Sequence, residues 1–349
     1  MKKNSTIFNQ RNFRFLGFAL FTLLLVNCSK KDDPVTFEFT EFDNLSELPE
    51  VKDPDPEFVD PSLGSIEASV AAQAMITDFQ DGSGDQSATT TDNLTAVSDF
   101  SDGLTTNIDD EAQALDAAGI DAILNSTELT GDQAALAAEL ESLPASVADL
   151  FPTIAFTDDY NRAQEQMKAG IINDLKLDLM SQAASGPCFD AALSAYTEAM
   201  KTPIETRDAQ TIVINTNYNT RITDVDTRYT SRLAALNTDL DAYKVDITAS
   251  GVAILAYADS VEGSDAALAA QLRTYALLYV INSYMVLDTF KTEATSLLDD
   301  TKTTELASIE TIKTEKTEEI QSNFDAVKAE ADALRATAYN TCHNQGSGS

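Results

Sequence analysis

The most constraining feature of this chain is the stretch from Pro203 to Ile247. Its apolar-facing positions run Ile204, Thr211, Ile214, Tyr218, Ile222, Val225, Tyr229, Leu233, Leu236, Leu240, Tyr243 and Ile247. From Thr211 onward these positions cover 36 residues in 10 steps, 3.6 per step. A stripe of that period, with no Gly or further Pro to interrupt it, is one face of a long α-helix. At about 1.5 Å per residue the rod reaches about 65 Å. Such a stripe needs a partner. The chain supplies one near its C-terminus, where Ala294, Leu297, Ile309, Ile312, Ile320, Phe324, Val327, Ala331, Leu334 and Ala338 form a return arm.

A second period lies inside the first. Ile214, Val225, Leu236 and Ile247 recur every eleven residues, and Tyr218, Tyr229 and Leu240 keep the same interval. Eleven residues in three turns is about 3.67 per turn, which gives a nearly straight pair in place of a left-handed coiled coil. Thr202-Pro203-Ile204-Glu205 has capping-box form, so the rod is expected to start at Pro203, with a kinked continuous helix as the alternative. The expected fold class is all-α: an N-terminal helical bundle plus a long antiparallel two-helix, coiled-coil-like hairpin.

Punctuation divides the rest. Asp53-Pro54-Asp55-Pro56 and Asp60-Pro61 bias residues 28–63 to extended backbone, an acidic tether. Within it, Val35–Thr40 alternates at period two, a strand for a partner's sheet edge or a linker gripping its own domain. Residues 64–187 read as a bundle of shorter helices, the last of them from Asp159 to Ala184. Residues 188–345 read as the hairpin. Ser250-Gly251 and Glu262-Gly263-Ser264-Asp265 predict breaks that set middle helices, 252–290, at its turn. The apolar run Tyr275–Leu287 is too short for a membrane span and reads as a buried helix. Gly346-Ser347-Gly348-Ser349 reads as an appended linker and has no part in the fold.

The N-terminus carries an address. Lys2, Lys3, Arg11 and Arg14 precede an apolar run from Phe15 to Val26, followed by Asn27-Cys28. This order is that of a signal peptide over residues 1–27, and Val26-Asn27-Cys28 resembles the lipobox of bacterial lipoproteins. Ser29-Lys30-Lys31-Asp32-Asp33 looks like the acidic export signal of surface lipoproteins in the Bacteroidota. The resemblance implies an acyl lipid on Cys28, an outer-membrane location and a body facing the cell exterior. With Cys28 given to lipid, Cys188 and Cys342 are a spare pair in an oxidising setting. Arms of equal length, folded antiparallel, bring them together at the base as a disulfide. Two buried thiols or an intermolecular bridge are the alternatives.

Charge narrows the partners. The formal net charge is −34, and residues 1–27 hold four of the 23 basic residues and no acidic ones. What remains carries 19 basic against 57 acidic residues, formally −38. A surface of that sign repels nucleic acid, so no nucleic-acid partner is expected.

Chemistry-bearing motifs are scarce. The single His343 stands in a polar tail, and the sequence contains no phosphate-binding loop, nucleophile elbow or dinucleotide fingerprint. Asp81, Ser83, Asp85 and Asp92 have partial calcium-loop spacing, but Gln86 stands where that loop needs Gly, and Asp92 is shorter than its bidentate Glu. A polar turn is the default reading there and calcium the alternative; no other cofactor is expected. The chain therefore reads as a non-enzymatic surface lipoprotein, an accessory or scaffold subunit of an outer-membrane complex for uptake, secretion or protein assembly. The alternative is a stand-alone binder of an extracellular ligand, or an adhesin.

Overall fold

The computed structural model describes residues 37–81, 86–156 and 186–345. Among them are eight α-helices, one 3-10 turn and a two-stranded sheet. Six short helices form a head: α1 (Val70–Gln80), α2 (Ala88–Asp102), α3 (Asp109–Ala114), α4 (Ala117–Leu124), α5 (Gly131–Leu140) and α6 (Ala145–Ala148). Two long ones form a stalk: α7 (Pro187–Val261, 75 residues) and α8 (Ala266–Gln345, 80 residues). The stalk helices extend about 110–120 Å each. The expected all-α architecture with an antiparallel hairpin is what the chain adopts.

The eleven-residue period runs the whole length of both arms. On α7 the positions Ala192, Pro203, Ile214, Val225, Leu236, Ile247 and Ala258 are all buried. On α8 so are Ala276, Leu287, Leu298, Ile309, Ile320, Ala331 and Cys342. This continuity corrects the expected helix start at Pro203. Pro203 lies eleven residues from both Ala192 and Ile214, so the stripe passes through it in register, and the Thr202–Glu205 capping box is not used. The lost backbone hydrogen bond is offset by packing next to it, where Met200 joins Leu48, Phe324, Val327 and Ala331.

The break at Ser250-Gly251, and with it the middle helices 252–290, is also corrected. Gly251 is inside α7 because a Cβ there would stand 2.8 Å from Ile120 Cδ1 and 3.3 Å from Val280 Cγ2. It marks a close approach of α4, not an end. The only turn of the hairpin is Glu262–Asp265, where the Asp265 carboxylate accepts from the Leu268 amide at 3.0 Å and starts α8. Arg273 pairs with Asp259 at 2.5 Å and reaches Glu262 at 3.6 Å, tying α8 back to the end of α7.

Head and upper stalk share one core. Ile254, Leu272, Tyr275, Leu278 and Ile281 of the stalk pack with Met75, Ile120, Leu136 and Leu150 of the head. The Phe79 ring stacks on Tyr257 at 4.9 Å, and the Tyr275 hydroxyl donates to the Leu150 carbonyl at 3.2 Å. The Tyr275–Leu287 run is therefore apolar because head and α7 cover it. No described helix is long and apolar enough to cross a membrane. Strands β1 (Ser65–Glu67) and β2 (Thr153–Ala155) pair antiparallel, Ile66 opposite Ile154, and join the entry and exit of the head. Gly64 at φ +86° leads into this pair. A Cβ there would fall 2.3 Å from the Ala155 carbonyl oxygen, so only glycine fits.

Residues 39–62 run as a strap along the stalk. Phe42, in a 3-10 turn (Thr40–Asn44), packs with Ala192 and Ala338 at the base. Leu48 then meets Met200, and Val51 meets Ile214 and Ile320, until the Ile66 amide donates to the Tyr243 hydroxyl at 3.4 Å. From Phe42 to Ile66 the strap climbs past α7 from Tyr196 to Tyr243. That is about 70 Å in 24 residues, close to full extension. Of the Val35–Thr40 segment, the described part from Phe37 onward forms no strand, and Phe39 packs on the base.

Candidate functional site

Three features position whatever this molecule does: the clasped base, the bonded strap, and a cavity where the head meets the stalk. At the base the Cys188 and Cys342 sulfurs lie 2.05 Å apart and their Cα atoms 5.7 Å apart, a pair at disulfide distance. The geometry follows from the fold. The midpoint of 188 and 342 is residue 265, where the chain turns. His343 stays exposed, as its polar surroundings predict, but it belongs to the last turn of α8 and sets its ring edge-on to Phe189 at 5.0 Å.

Side chains from α7 hold the strap. Gln210 acts as a strand edge would: its amide donates to the Pro49 carbonyl at 3.0 Å and its oxygen accepts from the Val51 amide at 3.3 Å. Asn217 donates to Asp53 Oδ2 at 2.9 Å. Arg221, 6% exposed, donates to Asp53 Oδ1 at 2.8 Å and Asp55 Oδ1 at 3.0 Å, and its Nη2 also reaches the Asp53 and Pro54 carbonyls. Burial alone would pull this guanidinium down, and the hydrogen bonds it donates to the two carboxylates more than offset it.

Two turns higher, Arg228 lies over the Phe58 ring at 4.4 Å, and Arg232 bridges Asp60 and the buried Glu305 at 2.7 and 2.9 Å. Arg221, Arg228 and Arg232 share one face of α7, with Arg221 on Asp53 and Asp55 and Arg232 on Asp60. That row of three arginines on one face, in a strongly acidic chain, is the signal sequence reasoning missed.

The head has its own polar joints. Asp78 of α1 receives hydrogen bonds from the Ser87 and Thr90 hydroxyls, which hold its carboxyl below the usual carboxylate range. Glu139 of α5 binds the Thr105 and Thr106 amides and hydroxyls at 2.7–3.0 Å. These bonds, the Thr105 amide foremost, draw its pKa from 4.5 to about 2. Burial, with Asp132 nearby, pushes the Glu111 carboxyl up.

Of the calcium candidates, Asp81 caps the end of α1 and Asp92 lies in the second turn of α2. Ser83 and Asp85 fall outside the described residues, as do Cys28, Ser29–Asp33 and the expected Asp159–Ala184 helix. Among the described residues no three His, Cys, Asp or Glu side chains converge as a metal site.

The cavity lies where the end of α4 faces the stalk. It has a volume of about 270 Å³, a floor of Leu124, Leu240 and Leu287, and walls that carry Lys244, Tyr284, Asp288 and Lys291. Lys244 Nζ donates to Asn125 Oδ1 at 3.1 Å, while the Asn125 amide donates to the Asp121 carbonyl and carboxylate at 3.0 and 2.9 Å. No family model, curated protein or solved structure matches the chain.

Proposed function

We propose that this chain is a non-enzymatic, lipid-anchored surface protein of an outer membrane, and that it serves as a scaffold subunit of an envelope complex by holding its head away from the bilayer. What carries the reading is the strap. The chain meets the stalk at Phe42, beside Ala192 and Ala338, and reaches the head only after about 70 Å of bonded climb. A lipid on Cys28 would join the chain fourteen residues before that point, so the bilayer would be reached through the base of the stalk before the head. The lipobox and acidic export signal support the anchor, and the clasped, strapped stalk supports a role in reach and docking. The buried stripe of each arm is filled by the other, so the stalk needs no further chain to complete its core.

The test is mild-detergent purification of the tagged protein from its native membranes, with co-purifying chains identified by mass spectrometry. A stoichiometric outer-membrane partner, lost when Cys28→Ser releases the protein from the membrane, is the expected result. Recovery of the protein alone at monomer mass would overturn the subunit role. Unchanged membrane retention of Cys28→Ser would overturn the anchor.

A further inference from the structure

We propose that the cavity between the head and the stalk binds a single saccharide unit, an uncharged polyhydroxylated ring. Its charges point to a neutral ligand. Lys244 and Lys291 face Asp241 and Asp288, a formal sum of zero in a chain of −34. An anion entering there meets two carboxylates, and a cation meets two ammonium groups. Hydroxyl groups suit both, donating to the aspartates and accepting from the lysines.

The polar groups are also uncommitted. Asp288 and Lys291, both exposed, stand three apart on α8, a spacing at which Lys313 and Lys316 do form ion pairs, yet among the described residues they form none. Neither they nor Asn237 and Tyr284 make a hydrogen bond to the described residues, whereas Lys244 is fixed by Asn125 and lies 3.6 Å from Asp241. The Leu240 and Leu287 floor and the half-buried Tyr284 ring offer the apolar face on which the C–H side of a sugar ring rests. At about 270 Å³ the space is at the small end for ligand pockets and holds one ring or the end of a chain.

The inference is independent of the anchoring role, since a glycoside-binding protein recovered alone from membranes would still satisfy it. The full chain is examined by saturation-transfer NMR against methyl glycosides of glucose, galactose, mannose, fucose, N-acetylglucosamine and N-acetylgalactosamine. Acetate, methyl phosphate and choline, each with carbon-bound protons to report transfer, serve as charged probes. The expected result is transfer to at least one glycoside and to none of the charged probes. Tyr284→Ala and, at the exposed pair, Asp288→Asn and Lys291→Gln each weaken binding about tenfold or more. Glu139→Gln, which is not among the residues lining the cavity, leaves binding unchanged, and circular dichroism confirms the helical fold of each variant. Transfer to no glycoside, preference for a charged probe, or binding indifferent to Tyr284, Asp288 and Lys291 in folded variants overturns the proposal.

Discussion

Arg221 Nη1 and Asp53 Oδ1 lie 2.8 Å apart across 168 residues of sequence, with side chains 7% and 5% exposed. Among the described residues it is the most buried ion pair between strap and stalk. Its energetic meaning depends on which partner is removed. Arg221→Met leaves the Asp53 carboxylate buried without its cation, and such an orphan charge costs about 3–5 kcal/mol. Asp53→Asn keeps shape and hydrogen-bonding capacity and should cost less. Urea denaturation of both, with a double-mutant cycle, checks the order: Arg221→Met the larger loss, and the pair less than additive.

The clasp at the base should act on the denatured chain. A bond between Cys188 and Cys342 closes a loop of 154 residues, worth about 4–5 kcal/mol in the chain-entropy description. Replacing both by Ser should lower stability by up to that amount. The loss should be felt first at the base, where amide exchange of Leu334 and Tyr339 quickens before that of the Tyr275–Ile281 core. Intact mass before and after reduction tests the bond itself; exchange that quickens uniformly along the stalk would contradict the local part of the expectation.

Much of the stalk was legible because its stripe is periodic over very long distances. Thr211–Ile247, the return arm and the cysteine pair centred on residue 265 all follow from counting. Punctuation misled where a local signal competed with that period. Thr202-Pro203-Ile204-Glu205 is a sound helix start read alone, but Ala192 and Ile214 keep Pro203 in register. Gly251 reads as a breaker until Ile120 is placed against it. The strap's extension was legible in Asp53-Pro54-Asp55-Pro56, whereas its location was not, because a contact such as Asp53–Arg221 leaves no local mark. The cavity was illegible for the same reason: α4 meets α7 and α8 there across more than a hundred positions of sequence.

Gly251 tests whether α4 must sit this close. A Cβ there points at Ile120 Cδ1, a terminal methyl that can move, so Gly251→Ala gains helix propensity and loses only a small repacking cost. Gly251→Val adds branched bulk between Ile120 and Val280, both fully buried, and should destabilise the fold by about 1–3 kcal/mol. Thermal melts of the two variants give the contrast. Equal melting temperatures would mean that α4 is free to shift away.

Glu139 provides the acid limit of the head. Its folded pKa is depressed, from 4.5 to about 2, because the charged carboxylate accepts four bonds from Thr105 and Thr106. A depressed carboxyl stabilises the folded state above its unfolded pKa. That contribution is therefore fully present above about pH 4.5 and is lost as pH falls toward 2. The residues connecting α2 to α3 should loosen across this window while the stalk stays helical. NMR titration of the Glu139 side-chain carboxyl should give a midpoint near 2, with Thr105 and Thr106 amide shifts following it. Glu139→Gln should abolish that pH dependence, because an amide keeps acceptor capacity but carries no titrating charge; amide shifts that still move in the variant would assign the acid response to another group.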